Sequence, residues 1–268
     1  MMNEKDLKEY EDNIKLVSRL KKSSKYNYLE AKRIEDHGTR IYDIDGSRLP
    51  SVTTILGRTK DQQFIKDWKA KVGEKEADRI KNLSSNRGTA MHKFLEHYIL
   101  RTGYDDLTEL GQKAKAMAEK IIEFGLAPVE EWYGAEVTLY YPGLYAGSTD
   151  LVCLHNGLET IVDFKQSNRP KKEEWVEDYY LQIAAYAMAH DYVHGSKIRQ
   201  GVIMMCTPDL YYQEFRITDH ELREWKHKFL KILDMYHELI FHEKEQANIQ
   251  MKEEDFKNEG LFFTNSHS

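Results

Sequence analysis

The sequence predicts an α/β (α+β) fold, with a central mixed sheet flanked by helices. Three observations point there. Residues 147–165 read as two apolar strands around His155-Asn156-Gly157-Leu158, and Asn-Gly between apolar runs is the strongest short-range hairpin signal, because a type I′ turn needs positive φ at both central residues. Leu151, Val152, Leu154, Leu158, Ile161, Val162 and Phe164 put apolar side chains on both faces of that hairpin, as in a strand pair covered on both sides. Segments of helical apolar spacing lie before and after it, and further strand patterns follow at 200–207 and 211–217.

Composition sets the bounds. The chain has 268 residues, 41% apolar and 12% aromatic, enough for a full core. No internal repeat or linker divides it. We read one unit over 1–268, with a helical arm (1–40), a core (41–217) and a C-terminal helix and tail (218–268). Charged residues are 31% and the net charge is −6. That balance counts against wrapping long duplex nucleic acid but allows a local basic channel. Two cysteines, Cys153 and Cys206, make no disulfide framework and read as small buried hydrophobes. No run of about 18 apolar residues is present. The N-terminus lacks the apolar stretch of a signal peptide and is too acidic for a transit peptide. The expectation is a cytoplasmic protein, of a bacterium or a virus-infected host cell, with no membrane partner.

The elements follow in order. Leu7, Ile14, Leu16 and Leu20 give residues 4–22 the spacing of a peripheral helix. Lys21, Lys22 and Lys25 form a basic cluster, either a solvated face or a phosphate contact. Arg40 to Gly46 alternates and turns at Asp45-Gly46, a small hairpin leading into Pro50-Ser-Val-Thr-Thr-Ile-Leu56. Ser51 suits a helix N-cap. Gln62 to Ile80 reads as a helix with Phe64, Ile65, Trp68 and Val72 inward and Gly73 as a possible break. A further helix starts near Gly88, with Met91, Phe94, Leu95, Tyr98 and Ile99 as its core stripe. His92 and Glu96, four apart, stack on one flank of that stripe. Arg87 and Thr89 fall at the expected helix start, where N-terminal amides bind phosphate. Leu107 to Gly125 is an amphipathic scaffold helix, and Glu136 to Tyr141 a strand ending at the Pro142-Gly143 turn. Glu136, one hairpin away, either supports a site on the central hairpin or pairs with a surface cation.

The turn fixes the hairpin register. With Asn156 and Gly157 central, Asp150 faces Asp163, and Lys165 projects from that same face. Two opposed carboxylates repel, and burying them unpaired is expensive. A divalent cation between them would resolve both problems. The loop after Lys165 carries Arg169, Lys171 and Lys172, a basic cluster suited to phosphate. Glu177 to His190 reads as a helix with Gln182 and Tyr186 on one stripe among alanines, and Thr218 to about Glu245 as a long helix. Gln246 to Ser268 is charged and turn-rich.

Asp150, a spacer, then Asp163-Phe164-Lys165 resembles the PD-(D/E)XK nucleases. Arg87-Gly-Thr-Ala-Met-His92-Lys-Phe-Leu-Glu96 resembles the histidine-bearing helix of their RecB/Cas4-like branch, and Gln182-Ile-Ala-Ala-Tyr186 its Q-x-x-x-Y helix. Pro50-Ser-Val-Thr-Thr-Ile-Leu56 and the Trp68 helix are similar to the mitochondrial genome maintenance exonucleases and their phage and bacterial relatives. The resemblance spans residues 41–217, in the expected order. It implies a restriction-endonuclease-like core and metal-dependent hydrolysis of DNA, acting from single-stranded ends or flaps. It also implies catalytic roles for Asp150, Asp163 and Lys165. Mg²⁺ or Mn²⁺ would be held by His92, Asp150, Asp163 and the Phe164 carbonyl. Gln182, Tyr186 and Ser51 would lie near the substrate, with Glu96 and Glu136 in support. The four-cysteine iron–sulfur cluster of some Cas4-like relatives is not expected with two cysteines. An endonuclease on the same core and a non-catalytic DNA-binding module remain open alternatives.

Overall fold

A computed structural model of the chain describes residues 20–36 and 39–264; the side chains of Phe64 and of residues 251–264 are outside that description. The described elements begin with β1 (Lys21–Lys22), β2 (Lys32–Asp36), β3 (Thr39–Ile44), β4 (Ser47–Pro50), α1 (Val52–Thr59), α2 (Gln63–Val72) and α3 (Glu74–Leu100). Next come α4 (Glu109–Lys120), a π-helical turn (Ile121–Gly125), β5 (Val129–Tyr141), β6 (Tyr145–His155) and β7 (Leu158–Gln166). The chain ends through α5 (Glu177–His194), β8 (Gln200–Cys206), β9 (Tyr212–Thr218) and α6 (Asp219–Thr264).

The central sheet has the order β1-β5-β6-β7-β8-β9. It is mixed, as expected: β1/β5 and β7/β8 run parallel, the other pairs antiparallel. α5 is the crossover between the parallel β7 and β8. A separate antiparallel sheet, β2-β3-β4, packs beside it. Asn156 and Gly157 have φ of 50° and 73°, so the β6–β7 turn is the tight one that the Asn-Gly pair predicts.

The period of two along each strand sorts the core into two layers. Leu151, Cys153, Val162, Phe164, Val202, Met204 and Cys206 face α3 and α4. Val152, Ile161, Ile203 and Met205 face α5, α6 and α1. Both faces are covered, so the strands read as continuous apolar runs in the sequence. Ser51 caps α1 by accepting the Thr54 N–H at 3.0 Å, an interaction of about 1 kcal/mol.

Several expectations need correction. Gly73, at φ 86°, ends α2, and the next helix starts at once. Gly88 is therefore in the middle of α3, not at a helix start. The helix passes the end of β7 there at van der Waals distance: a Cβ at Gly88 would lie 3.4 Å from the Gln166 side chain. The inward stripe expected on α2 is not buried either: Ile65 is exposed, while Trp68 and Val72 are half-buried. Residues 21–36 hold strands rather than the helical arm. The part of the expected N-terminal helix up to residue 19 is outside the described residues. At the other end, α6 continues through the segment expected to be turn-rich, to Thr264, and residues 265–268 are again outside. Among the described residues no helix is long and apolar enough to cross a membrane.

Behind the sheet, buried His190 fixes the end of α5. Its Nδ1 lies 2.6 Å from Ser196 Oγ, which itself donates to Asp191 at 2.8 Å. Ser196 must then accept from Nδ1–H, leaving Nε2 to accept from the Tyr28 hydroxyl at 3.0 Å. Burial, with His194 adding to it, pushes the His190 pKa down to about 3. The unfolded chain takes up this proton near pH 6.5, so this group lowers stability as the pH falls from 6.5 towards 3. Thermal midpoints measured between pH 7 and pH 4 should fall more steeply for the wild type than for His190→Gln. Parallel slopes would show that His190 is not buried in its neutral form.

Candidate active site

The candidate site lies where the central hairpin opens. The β6/β7 ladder runs from His155–Leu158 to Leu151–Val162 and stops. One more step would set Asp150 opposite Asp163 and bond the Phe164 amide to Thr149. Instead, Asp150 Oδ2 accepts the Phe164 N–H at 2.5 Å, while Thr149 pairs on its other side with Val137 of β5. A side-chain carboxylate thus replaces the ladder. The Phe164 carbonyl leaves the strand on the same side as its amide, next to Asp150. The two aspartates therefore flank an opening instead of making a closed pair.

Helix α3 reaches this opening from one layer. Met91, Phe94 and Leu95 anchor it in the core, and His92, on the adjoining flank, turns to the hairpin. His92 Nδ1 lies 3.1 Å from Asp150 Oδ1 and 3.7 Å from Glu136 Oε1. Glu136 comes from β5, between residues that pair with Leu151 and Thr149. Its φ is 51°. That is left-handed backbone inside a strand, and it costs a non-glycine residue about 1–2 kcal/mol. Strand alternation could not foresee it. One ligand atom each from His92, Glu136 and Asp150 lies within 4.8 Å of the others. A histidine nitrogen with carboxylate oxygens suits Mn²⁺, and the carboxylates alone suit Mg²⁺.

Asp163 and Lys165 project from the other face, towards α5. Asp163 is 2% exposed and forms an ion pair with Lys165. Its Oδ2 is the oxygen that meets the Lys165 ammonium. The Lys165 ammonium lies 5.0 Å from the centre of the Tyr179 ring. Tyr179 precedes Gln182 and Tyr186 by three and seven residues, so it lies on the same stripe of α5 and lines the same hollow. Gln182 donates to the Tyr186 hydroxyl at 3.0 Å. Tyr186 presses on β6 at Gly147, where a Cβ would come 2.6 Å from the ring.

Opposed effects set the charges. Burial lowers the His92 pKa, but the Asp150 charge and hydrogen bonds to Asp150 and Glu136 outweigh it, holding it at about 10. Burial raises the Asp150 carboxyl, yet His92, Lys165 and the Phe164 amide bring it below its ordinary value. For Asp163 burial prevails, helped by Asp150 and resisted by Lys165, and its pKa rises to about 6. Burial also raises Glu136, with Asp150 adding to it and His92 opposing. Burial opposes the charge on Lys165, but Asp163 and Asp150 more than restore it, so its pKa lies above the ordinary lysine value. With the pocket's carboxylates this close, protonated His92 supplies the positive charge that a divalent cation would otherwise bring.

These groups open into a hollow of about 700 Å³. Thr89, Glu96 and Ser51 line it, as do Gln182 and Tyr186. Arg87 does not. It is buried in α3 and holds Gln166 Oε1 at 2.9 and 2.7 Å and also Asn168, fastening α3 to the end of β7. The loop residues Arg169, Lys171 and Lys172 are also absent from the wall; Lys172 lies over Trp175 and near Glu174. The positive charge in the wall comes instead from Arg33, Arg40 and Lys93, with Tyr42 and Tyr179 beside them. Of the N-terminal lysines, Lys25 pairs with Glu159 and Lys22 lies over Trp132.

No protein-family model matches the chain. Two curated proteins do. Human mitochondrial genome maintenance exonuclease 1 is 28% identical over 218 residues, covering 76% of this chain and 62% of the relative. The mouse protein is 27% identical over 205 residues, covering 71% of this chain and 59% of the relative. The chain is related to nucleases. It spans about three fifths of the length of these two relatives. A solved structure described as a putative exonuclease from Eubacterium rectale overlaps 58% of this chain and 68% of its own, at 17% identity and a TM-score of 0.42. That overlap is too partial to bear on function.

The Glu136 backbone gives a test of the metal cluster. Glu136→Gly relieves the left-handed residue and removes one carboxylate from a crowded site. In metal-free protein it should stabilise by about 1 kcal/mol, raising the thermal midpoint by about 2–4 °C. Calorimetric titration with Mn²⁺ should show affinity lowered at least tenfold. A lower midpoint together with undiminished Mn²⁺ binding would rule out the role given to Glu136.

Proposed function

We propose that the chain is a metal-dependent deoxyribonuclease that degrades DNA from an end, with single strands or flaps as substrate. The observation that carries this reading is the meeting of His92, Glu136, Asp150, Asp163 and Lys165 at the opened end of one hairpin, in a hollow walled by arginines and tyrosines. Relationship to proteins named exonucleases supports it.

Asp150, His92 and Glu136 would hold the cation, with Asp163 and the Phe164 carbonyl beside them. When bound, a divalent ion polarises the phosphate and makes water acidic enough to attack at neutral pH. The chain's own groups do the rest. The Phe164 amide fixes one oxygen of Asp150, and His92, which donates to the other in the metal-free protein, would give up that proton on coordinating the cation. Asp163 aims Lys165 into the hollow, and Tyr179 supports it from α5. Lys165 is a poor proton acceptor, because neighbouring carboxylates keep it charged. It would donate hydrogen bonds to a non-bridging phosphate oxygen as negative charge builds up on hydrolysis. Tyrosines in the wall give bases a surface to stack on.

End-labelled single-stranded oligonucleotide should be shortened stepwise in the presence of Mg²⁺ or Mn²⁺ and left intact in chelator. Asp163→Ala and Lys165→Ala should each lower the rate by about 10³-fold, while Lys172→Ala should lie within a few-fold of wild type. A circular single strand should resist. Cutting of the circle would change the reading to an endonuclease on the same core. If neither metal supported cleavage of linear or circular DNA, the site would not be a nuclease site.

A further inference from the structure

The hollow over the metal cluster does not end at the small sheet. A second hollow of about 360 Å³ lies between β3 and α1, lined by Glu35, Thr39, Thr54, Gly57 and Arg58. Arg40 and Thr53 line both hollows, so they form the sill between them. Arg40 shares its face of β3 with Tyr42, which packs on the central sheet at Ala146. That parity turns the Arg40 side chain to the cleft.

Arg40 is not balanced among the described residues. Its Nε is shielded from water and has no hydrogen-bond partner. Glu35 is its cross-strand neighbour, yet the carboxylate of Glu35 is nearest to Arg33, at 3.4 Å. Among the described residues Arg40 has no ion pair. A guanidinium nitrogen that has lost water without gaining an acceptor needs an oxygen from outside. The hydroxyls of Thr53 and Thr54 are already used, donating to Ser51 Oγ and to the Arg40 carbonyl, so the guanidinium is the donor this wall offers. Arg58, at the far end, is held by Glu243 of α6. The chemistry of this sill, a planar cationic fork next to a candidate phosphodiester site, suits a phosphate oxygen.

We propose that the substrate strand continues from the metal cluster over this sill into the second hollow, and that Arg40 grips one specific backbone phosphate outside the scissile position. This deepens the nuclease reading and rests on it for the direction of the strand. The second hollow then makes the site longer than a single nucleotide step. The contact is to the backbone, so it sets position and length preference and does not read bases.

The test is equilibrium binding of a fluorescent single-stranded oligonucleotide in Ca²⁺, as a function of salt, for wild type, Arg40→Gln and Arg40→Lys. Arg40→Gln should weaken binding about tenfold at low salt and reduce the salt slope by about 0.7, the value for one phosphate contact on a single strand. Arg40→Lys should recover the slope but not the full affinity. A set of oligonucleotides, each with one neutral methylphosphonate linkage, should show a single position that weakens wild type and leaves Arg40→Gln unaffected. Equal salt slopes, or no such position, would overturn the proposal. The methylphosphonate series on wild type reads the contact even if a variant folds poorly. Cleavage is scored separately. An active wild type lacking the Arg40-dependent position defeats the sill alone. An inactive wild type that shows it defeats the nuclease reading and leaves a phosphate site.

Discussion

The hydrogen bond from the Phe164 amide to Asp150 is the constraint on which the site depends. An antiparallel ladder normally uses its backbone groups on each other. Here the ladder stops one residue short of the two aspartates, and a carboxylate takes the freed amide at 2.5 Å. That exchange does three things at once. It satisfies a buried N–H that would otherwise cost about 1–3 kcal/mol. It fixes one oxygen of Asp150, so the other points at His92. It also separates β6 from β7 at the edge where α3 and α5, from opposite layers, can both reach in. Neither layer alone holds the whole set: His92 comes from one, Tyr179, Gln182 and Tyr186 from the other, and Glu136 from the neighbouring strand.

The cluster stores unfavourable terms that the rest of the fold sustains. Asp163 is buried with its carboxyl pushed up to about 6, and Glu136 holds a left-handed backbone inside a strand. Such features persist only where surrounding structure determines them. β5 is pinned on both sides of Glu136 by its pairing with β6, and α3 is bolted to β7 through Arg87, Gln166 and Asn168. Arg87 thus acts on the site without touching its hollow.

Much of this was legible in the chain because it rests on local rules. Asn156-Gly157 set the register, and the register placed Asp150, Asp163 and Lys165 together. Period-two apolar runs named the central strands, and Met91, Phe94 and Leu95 named the face of α3 that orients His92. What escaped had no local signature. Glu136 was expected as support for the site, but what brings it within reach of His92 and Asp150 is a backbone angle that alternation does not encode. Tyr179 is the exception, since its spacing of three and seven residues before Gln182 and Tyr186 marks it as part of their stripe. Gly88 looked like a helix start, since glycine ends helices more often than it lets one approach a strand. Basic residues misled in the same way. Arg169, Lys171 and Lys172 are dense in sequence and turn away from the hollow, while Arg33, Arg40 and Lys93 are scattered and meet in its wall.

That scatter would also reconcile an acidic chain with the polyanionic substrate we propose. A net charge of −6 would repel DNA at long range, but screening reduces such forces beyond about 10 Å at moderate salt. Within that distance the local arrangement dominates. The carboxylates concentrate in the metal cluster, where a divalent ion would neutralise them and leave the cleft positive. Arg33 and Arg40 sit on the small sheet, where on the proposed reading they would meet phosphate and not metal. Binding would then depend on the metal twice, once for the chemistry and once for the sign of the field at the floor of the cleft. In the metal-free protein, protonated His92 can cancel only one unit of that negative charge, so DNA should approach the cleft far less readily before the cation is in place.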